Sequence, residues 1–275
     1  MLNMQIAEKR QIPNKSLSIR VCTDGLSFCV YSPTEEEPYK YVVYKVKPTI
    51  SLAANLKAAL NSEPILQSDY QRVNVLVTTP KFTTVPVVAF KSEDIVDVFN
   101  FNFPKEKPQH VSYNVLRRAG IAIIFGLEIN VYQLIRDDFP RARFYASSST
   151  LIEYFAERSM FGKNKKMFVY LHESEMTLYC FDQGCLVFVN SYPVRTVDDC
   201  QYYILNVWQQ LGFDQIDDML FIVSDNNMRE QLSTKISYFL NNVDVVDRRE
   251  DFRHTITKGN SEIPYDLQTL LVCGF

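Results

Sequence analysis

The chain has 275 residues, of which 47% are hydrophobic and 22% charged, a composition that excludes a disordered chain and provides for one large domain or about two of ordinary size. A formal charge of −3 with no basic stripe excludes a protein that holds a phosphate backbone by electrostatics, so no nucleic-acid partner is expected. Only eight glycines are present, against roughly 19 at an average usage of about 7%, so few positions are open to glycine-lined phosphate loops.

In chain order, 17–22 (LSIRVC) and 26–32 (LSFCVYS) read as strands joined by Thr23-Asp24-Gly25, since Asp-Gly between apolar strands is a hairpin signal. A third strand is expected at 39–47. A helix at 51–61 follows, with Ser51 as its N-cap, and then an apolar strand at 73–79. Residues 80–110 hold two strand-like pieces and a helical stretch near 91–100. A hairpin (111–117 and 121–126), a helix (129–137), a strand (142–147) and a helix (149–160, capped by Ser148 or Ser149) complete this part. Residues 161–166 read as a polar hinge.

The opening plan then recurs about 151 residues on, an offset that places Cys29 on Cys180 and Phe28 on Tyr179. Strands are expected at 167–172, 177–182 and 185–192, a helix at 197–211, a buried strand at 219–224, a helix at 228–240, a short strand at 243–246 and a terminal helix at 263–272. Three antiparallel strands, a crossover helix and a further buried strand make the core of the ribonuclease H type of α/β fold. The expected architecture is therefore α/β, two ribonuclease H-like domains with mixed sheets and a cleft between the halves. The first domain spans 1–161 with an inserted subdomain at about 80–140, the second spans 166–260, and a helix at 262–275 packs back on the first.

This order of elements resembles the actin-like ATPase fold shared by actin, sugar kinases, heat-shock chaperones and bacterial cell-division and pilus-assembly ATPases. More closely, the RVCTDGLSFCVYS and VYLHESEMTLYCF hairpins, the FIVSDNN turn and the FYASSSTLIEYF junction resemble a bacterial family defined as a domain of unknown function. The resemblance implies that active members clamp nucleotide phosphates with glycine-bearing hairpin turns, a carboxylate holding hydrated metal. Here the first turn keeps Asp24 and Gly25, which a plain hairpin also explains. The second, His172-Glu173-Ser174-Glu175-Met176, has no glycine and adds two carboxylates. The adenine-side turn, a glycine pair in active members, is Ser224-Asp225-Asn226-Asn227. Losing these motifs costs several kcal/mol, on the order of a thousandfold in affinity.

The expected function is thus a non-catalytic binding or scaffold protein with no cofactor, a protein partner and a possible oligomer. The alternative is a weak Mg-ATP-binding ATPase that uses Asp24 and Gly25. No catalytic or metal-binding residue is assigned: His172, Glu173 and Glu175 lack helical zinc-ligand spacing and read as a polar hairpin. The six cysteines contain no CxxC pair and read as reduced core thiols. Residues 1–16 lack the apolar stretch of a secretory leader, and no apolar run approaches a membrane span, so a cytoplasmic protein is expected. Phe99, Phe101 and Phe103 alternate with asparagines, which as a strand would put all three on one face, either buried in the core or exposed as a partner surface.

Overall fold

The computed structural model describes residues 15–22, 25–35, 38–104, 109–224 and 228–273. β1 (Ser16–Cys22), β2 (Gly25–Tyr31) and β3 (Tyr39–Tyr44) form an antiparallel meander. α1 (Leu52–Ser62) follows, its first turn capped by Ser51, whose hydroxyl accepts from the Ala54 amide at 3.2 Å. It crosses over to β4 (Arg72–Val77), which pairs parallel to β1 and carries an almost wholly buried apolar run.

Between β4 and the next strand of this sheet lies the insertion: β5 (Phe82–Pro86), α2 (Ile95–Asn102), β6 (Gln109–Leu116), β7 (Ile121–Glu128) and α3 (Ile129–Asp138). Its three strands form their own antiparallel sheet in the order β5-β7-β6. β8 (Arg143–Ala146) then completes a five-stranded sheet, β3-β2-β1-β4-β8, and leads into α4 (Ser147–Ser159).

The plan repeats with β9 (Lys166–His172), β10 (Glu175–Asp182), β11 (Cys185–Pro193), α5 (Val197–Gln210) and β12 (Met219–Ser224). α6 (Arg229–Ile236), β13 (Asn242–Val245), the short α7 (Arg248–Asp251) and α8 (Tyr265–Cys273) follow. The second sheet runs β11-β10-β9-β12-β13, the same order as the first. α6 is shorter than the 228–240 helix expected from the sequence. Lys166, expected in the hinge, is instead the first residue of β9, with its ammonium donating to the Arg158 and Phe161 carbonyls.

The register corrects the repeat offset. Cys22 pairs with Gly25 at the first hairpin tip and His172 with Glu175 at the second, so equivalent positions are 150 residues apart, not 151. A slip of one residue exchanges the two faces of a strand. Cys29 accordingly corresponds to Tyr179; Cys180 points to the other face, into the core under α5 with Leu178 and Met176.

The closing helices join the halves. α4 packs on the second sheet, where Phe155 stacks on Phe168 with ring centroids 4.3 Å apart and Ser148 Oγ lies 3.2 Å from Tyr179 Oη. α8 packs on the first sheet through Leu267 and Leu270 against Cys29 and Leu76. Where the helices cross, Thr269 Oγ1 donates to Thr150 Oγ1 at 2.9 Å, and both residues are fully buried. The expected cap at Ser148 or Ser149 is absent. Both serines lie inside α4, buried, and Ser149 donates to Asn114 Oδ1 at 2.8 Å. Among the described residues, no helix is long and apolar enough to cross a membrane.

Candidate functional site

The tips of β1 and β9 meet in the cleft between the halves. Asp24 lies outside the described residues, as do three of the four residues of the Ser224 to Asn227 turn. Gly25 is described; it opens β2 without a left-handed φ and accepts a hydrogen bond from the Cys22 thiol at 3.3 Å. Across the cleft, Glu173 takes φ 53°, the left-handed region that costs a non-glycine residue about 1–2 kcal/mol. The second hairpin thus keeps a glycine-type conformation and places a carboxylate on it.

A buried ion pair lies directly beneath these tips. Arg20, from the middle of β1, donates from Nε to both carboxylate oxygens of Asp266 in α8 at 2.9 and 3.1 Å. Their side chains are 5% and 0% exposed. Thr78 Oγ1 adds a bond to Asp266 Oδ2 at 3.0 Å, and Arg20 Nη2 lies 2.9 Å from His172 Nε2. His172 Nε2 in turn lies 3.1 Å from Glu173 Oε1. One chain of contacts therefore runs from α8 through the first sheet to the tip of the second. Burial acts against the Arg20 charge, but the Asp266 carboxylate outweighs it and holds the guanidinium well above its ordinary pKa.

The space left is small. The cavity bounded by Cys22, Thr78, His172, Glu173, Glu175 and Tyr179 measures about 40 Å³, whereas sites for drug-sized ligands run from about 300 Å³ upward. Glu175 faces the same cavity, and burial raises its carboxyl above the usual carboxylate range.

A second ion pair, less buried, anchors α4 on the second half. Arg158 of α4 donates to both oxygens of Asp251 at 2.8 and 2.6 Å, Tyr265 Oη donates to the same carboxylate, and the guanidinium lies over Phe168 and Phe221. Beside it, beyond the C-terminal ends of β12 and β13, opens a cavity of about 1020 Å³ whose charged lining is Arg229, Glu230, Asp247, Arg248 and Arg249. Ligands of open α/β sheets gather at such strand ends.

The three phenylalanines are not on one strand face. Phe99 and Phe101 lie in α2 and Phe103 caps its C-terminal end, so the period is helical: Phe99 is 1% exposed under β7, the Phe103 ring lies tilted against it at 4.9 Å, and Phe101 is 86% exposed. Phe99 is thereby excluded from any partner surface, while Phe101 remains exposed, as does Val96 at 50%.

The residues absent from the sequence reading are Arg20, Thr78 and Asp266. Arginine inside LSIRVC was a legible signal, because a charge in a buried strand requires a partner; Asp266 is 246 positions away and no local pattern points to it.

Two sheets of identical order, exchanged closing helices and facing hairpin tips define a protein of actin-like ATPase fold. The chain belongs to the family described as "Protein of unknown function (DUF3822)", whose model matches residues 5–243. It is similar to a Bacteroides thetaiotaomicron protein "with actin-like ATPase fold and unknown function", at 31% identity over 99% of both chains with a TM-score of 0.84. A chain of the PilM-PilN type IV pilus biogenesis complex shares the fold at 9% identity, over 94% of this chain and 98% of that one, with a TM-score of 0.54. No curated protein matches the chain.

Proposed function

We propose that the chain is a non-catalytic binding or scaffold protein whose own side chains seal the cleft in which active actin-like ATPases hold nucleotide. The observation that carries this is the Arg20–Asp266 pair with His172 against it, buried beneath the hairpin tips. A triphosphate entering there would meet the Glu173 and Glu175 carboxylates. Beneath the tips it would meet an Arg20 guanidinium already neutralised by both oxygens of Asp266. On this reading the described residues at the hairpin tips do not fit a nucleoside triphosphate with Mg²⁺.

The partner on this reading is another protein. A fold relative works within the PilM-PilN complex, and the exposed Phe101 and Val96 of the insertion give this chain an apolar surface of its own. The second reading is a weak Mg-ATP-binding ATPase, favoured by the cavity of about 1020 Å³ beside β12 and β13. Phosphate release from Mg-ATP decides between them. The scaffold reading expects no release above the protein-free blank; turnover that disappears in Asp24→Ala would contradict it.

A further inference from the structure

Cys22 ends β1 and His172 ends β9 at equivalent positions of the repeat, and Glu173 follows His172. One ligand-type atom from each of the three, a thiol sulfur, an imidazole nitrogen and a carboxylate oxygen, lies within 4.8 Å of the other two. His172 Nε2 is 3.1 Å from Glu173 Oε1, and Cys22 Sγ is 3.6 Å from the same oxygen. Tetrahedral zinc, with Zn–N and Zn–O of about 2.0–2.1 Å and Zn–S of about 2.3 Å, requires N···O and S···O edges of about 3.3 and 3.6 Å. Two edges of the tetrahedron are therefore already in place; the S···N edge, at most 4.8 Å, closes to about 3.6 Å by side-chain rotation.

We propose that Cys22, His172 and Glu173 form a site for one Zn²⁺ ion that ties the two halves together at the hairpin tips. The donor set is borderline-soft, which selects zinc over magnesium or calcium, whose sites are built from oxygen alone. The charges balance. Thiolate and carboxylate neutralise the ion, the thiol proton leaves to solvent, and Arg20 stays neutralised by its two bonds to Asp266 while giving up its contact to His172.

A second observation supports a cation here. Glu175 Oε2 is buried without a hydrogen-bond partner and faces the same cavity. The cavity's roughly 40 Å³ accommodates an ion with a water or two, at about 10–15 Å³ per water, and a metal-bound water would donate to that oxygen. The site shares His172 and Glu173 with the scaffold reading but does not rest on it: zinc binding is read from cobalt spectra and nucleotide turnover from phosphate release, so failure of either is told apart from failure of the other.

Metal-stripped full-length protein titrated with Co²⁺ tests the site. The expected result is one Co²⁺ per chain with a thiolate-to-cobalt charge-transfer band and tetrahedral d–d bands, bleached by one equivalent of Zn²⁺. Cys22→Ser should abolish the charge-transfer band, while Cys185→Ser, at the exposed cysteine, should retain it. Glu173→Gln, at a partly exposed position, should lower Co²⁺ affinity at least tenfold. It decides the matter if Cys22→Ser fails to fold. Absence of the band in the wild type, its loss in Cys185→Ser, or unchanged affinity in Glu173→Gln would overturn the proposal.

Discussion

Asp266 has no exposed side-chain surface and is tied to Arg20 and Thr78 across 246 and 188 positions of chain. Asp266→Asn removes the charge and leaves Arg20 buried without its counter-ion, which should destabilise the fold by about 3–5 kcal/mol in denaturant unfolding. Replacing both partners, Arg20→Met with Asp266→Leu, should recover much of that loss, since a buried pair is often matched by apolar residues of similar volume. A double variant no more stable than Asp266→Asn would contradict this account of the pair. His110 provides a separate pH signature. It stacks on Tyr132 with ring centroids 3.4 Å apart, and burial, aided by the Arg136 charge, lowers its pKa from the ordinary value. The unfolded chain therefore binds the proton more readily. The stabilising contribution is complete above about pH 6.5 and is lost as the pH falls below it. His110→Gln should flatten the stability profile below about pH 6.5; an unchanged slope would place the titration elsewhere.

At the scale of elements, the strands and helices of both halves were legible because their patterns are local: Asp-Gly for the first hairpin, Ser51 as a cap, and uninterrupted apolar runs for β4 and β12. The failures have specific physical causes. Aligning Cys29 with Cys180 matched residue identity, whereas pairing register follows which face is buried, and one residue of slip exchanges the faces. The serines opening α4 had the composition of a cap but lie within its first turn as small, buried polar groups at contacts with β6 and β10. In α2, alternating phenylalanines imitated a strand. The helix separates them: Gly126 of β7 leaves room for the Phe99 ring, which a Cβ at that position would overlap. Phe99→Ala should cost about 3–5 kcal/mol, whereas Phe101→Ser should stay within about 0.5 kcal/mol. Equal effects of the two would contradict the helical assignment. The candidate site was only half legible. The turn residues could be read from sequence, but the Arg20–Asp266 pair and the approach of Cys22 to Glu173 arise from contacts spanning 246 and 151 positions.

Over the whole molecule, exchange of the closing helices makes the cleft an internal boundary of one structure. A single apolar core includes Leu17 and Val75 of the first sheet together with Phe168 and Tyr179 of the second. The Arg20–Asp266 pair fastens α8 to the first sheet and the Arg158–Asp251 pair fastens α4 to the second half, so each closing helix is anchored on the half to which it crosses. On the scaffold reading proposed above, the groups that join the hairpins are parts of the chain itself and do not depend on ATP. Thermal unfolding with and without Mg-ATP tests this directly. A true site at a hundred times its dissociation constant would add about 2.7 kcal/mol, several degrees of midpoint for a chain of this size. The account expects superimposable unfolding curves at millimolar Mg-ATP; a saturable rise in midpoint that follows the nucleotide concentration would contradict it.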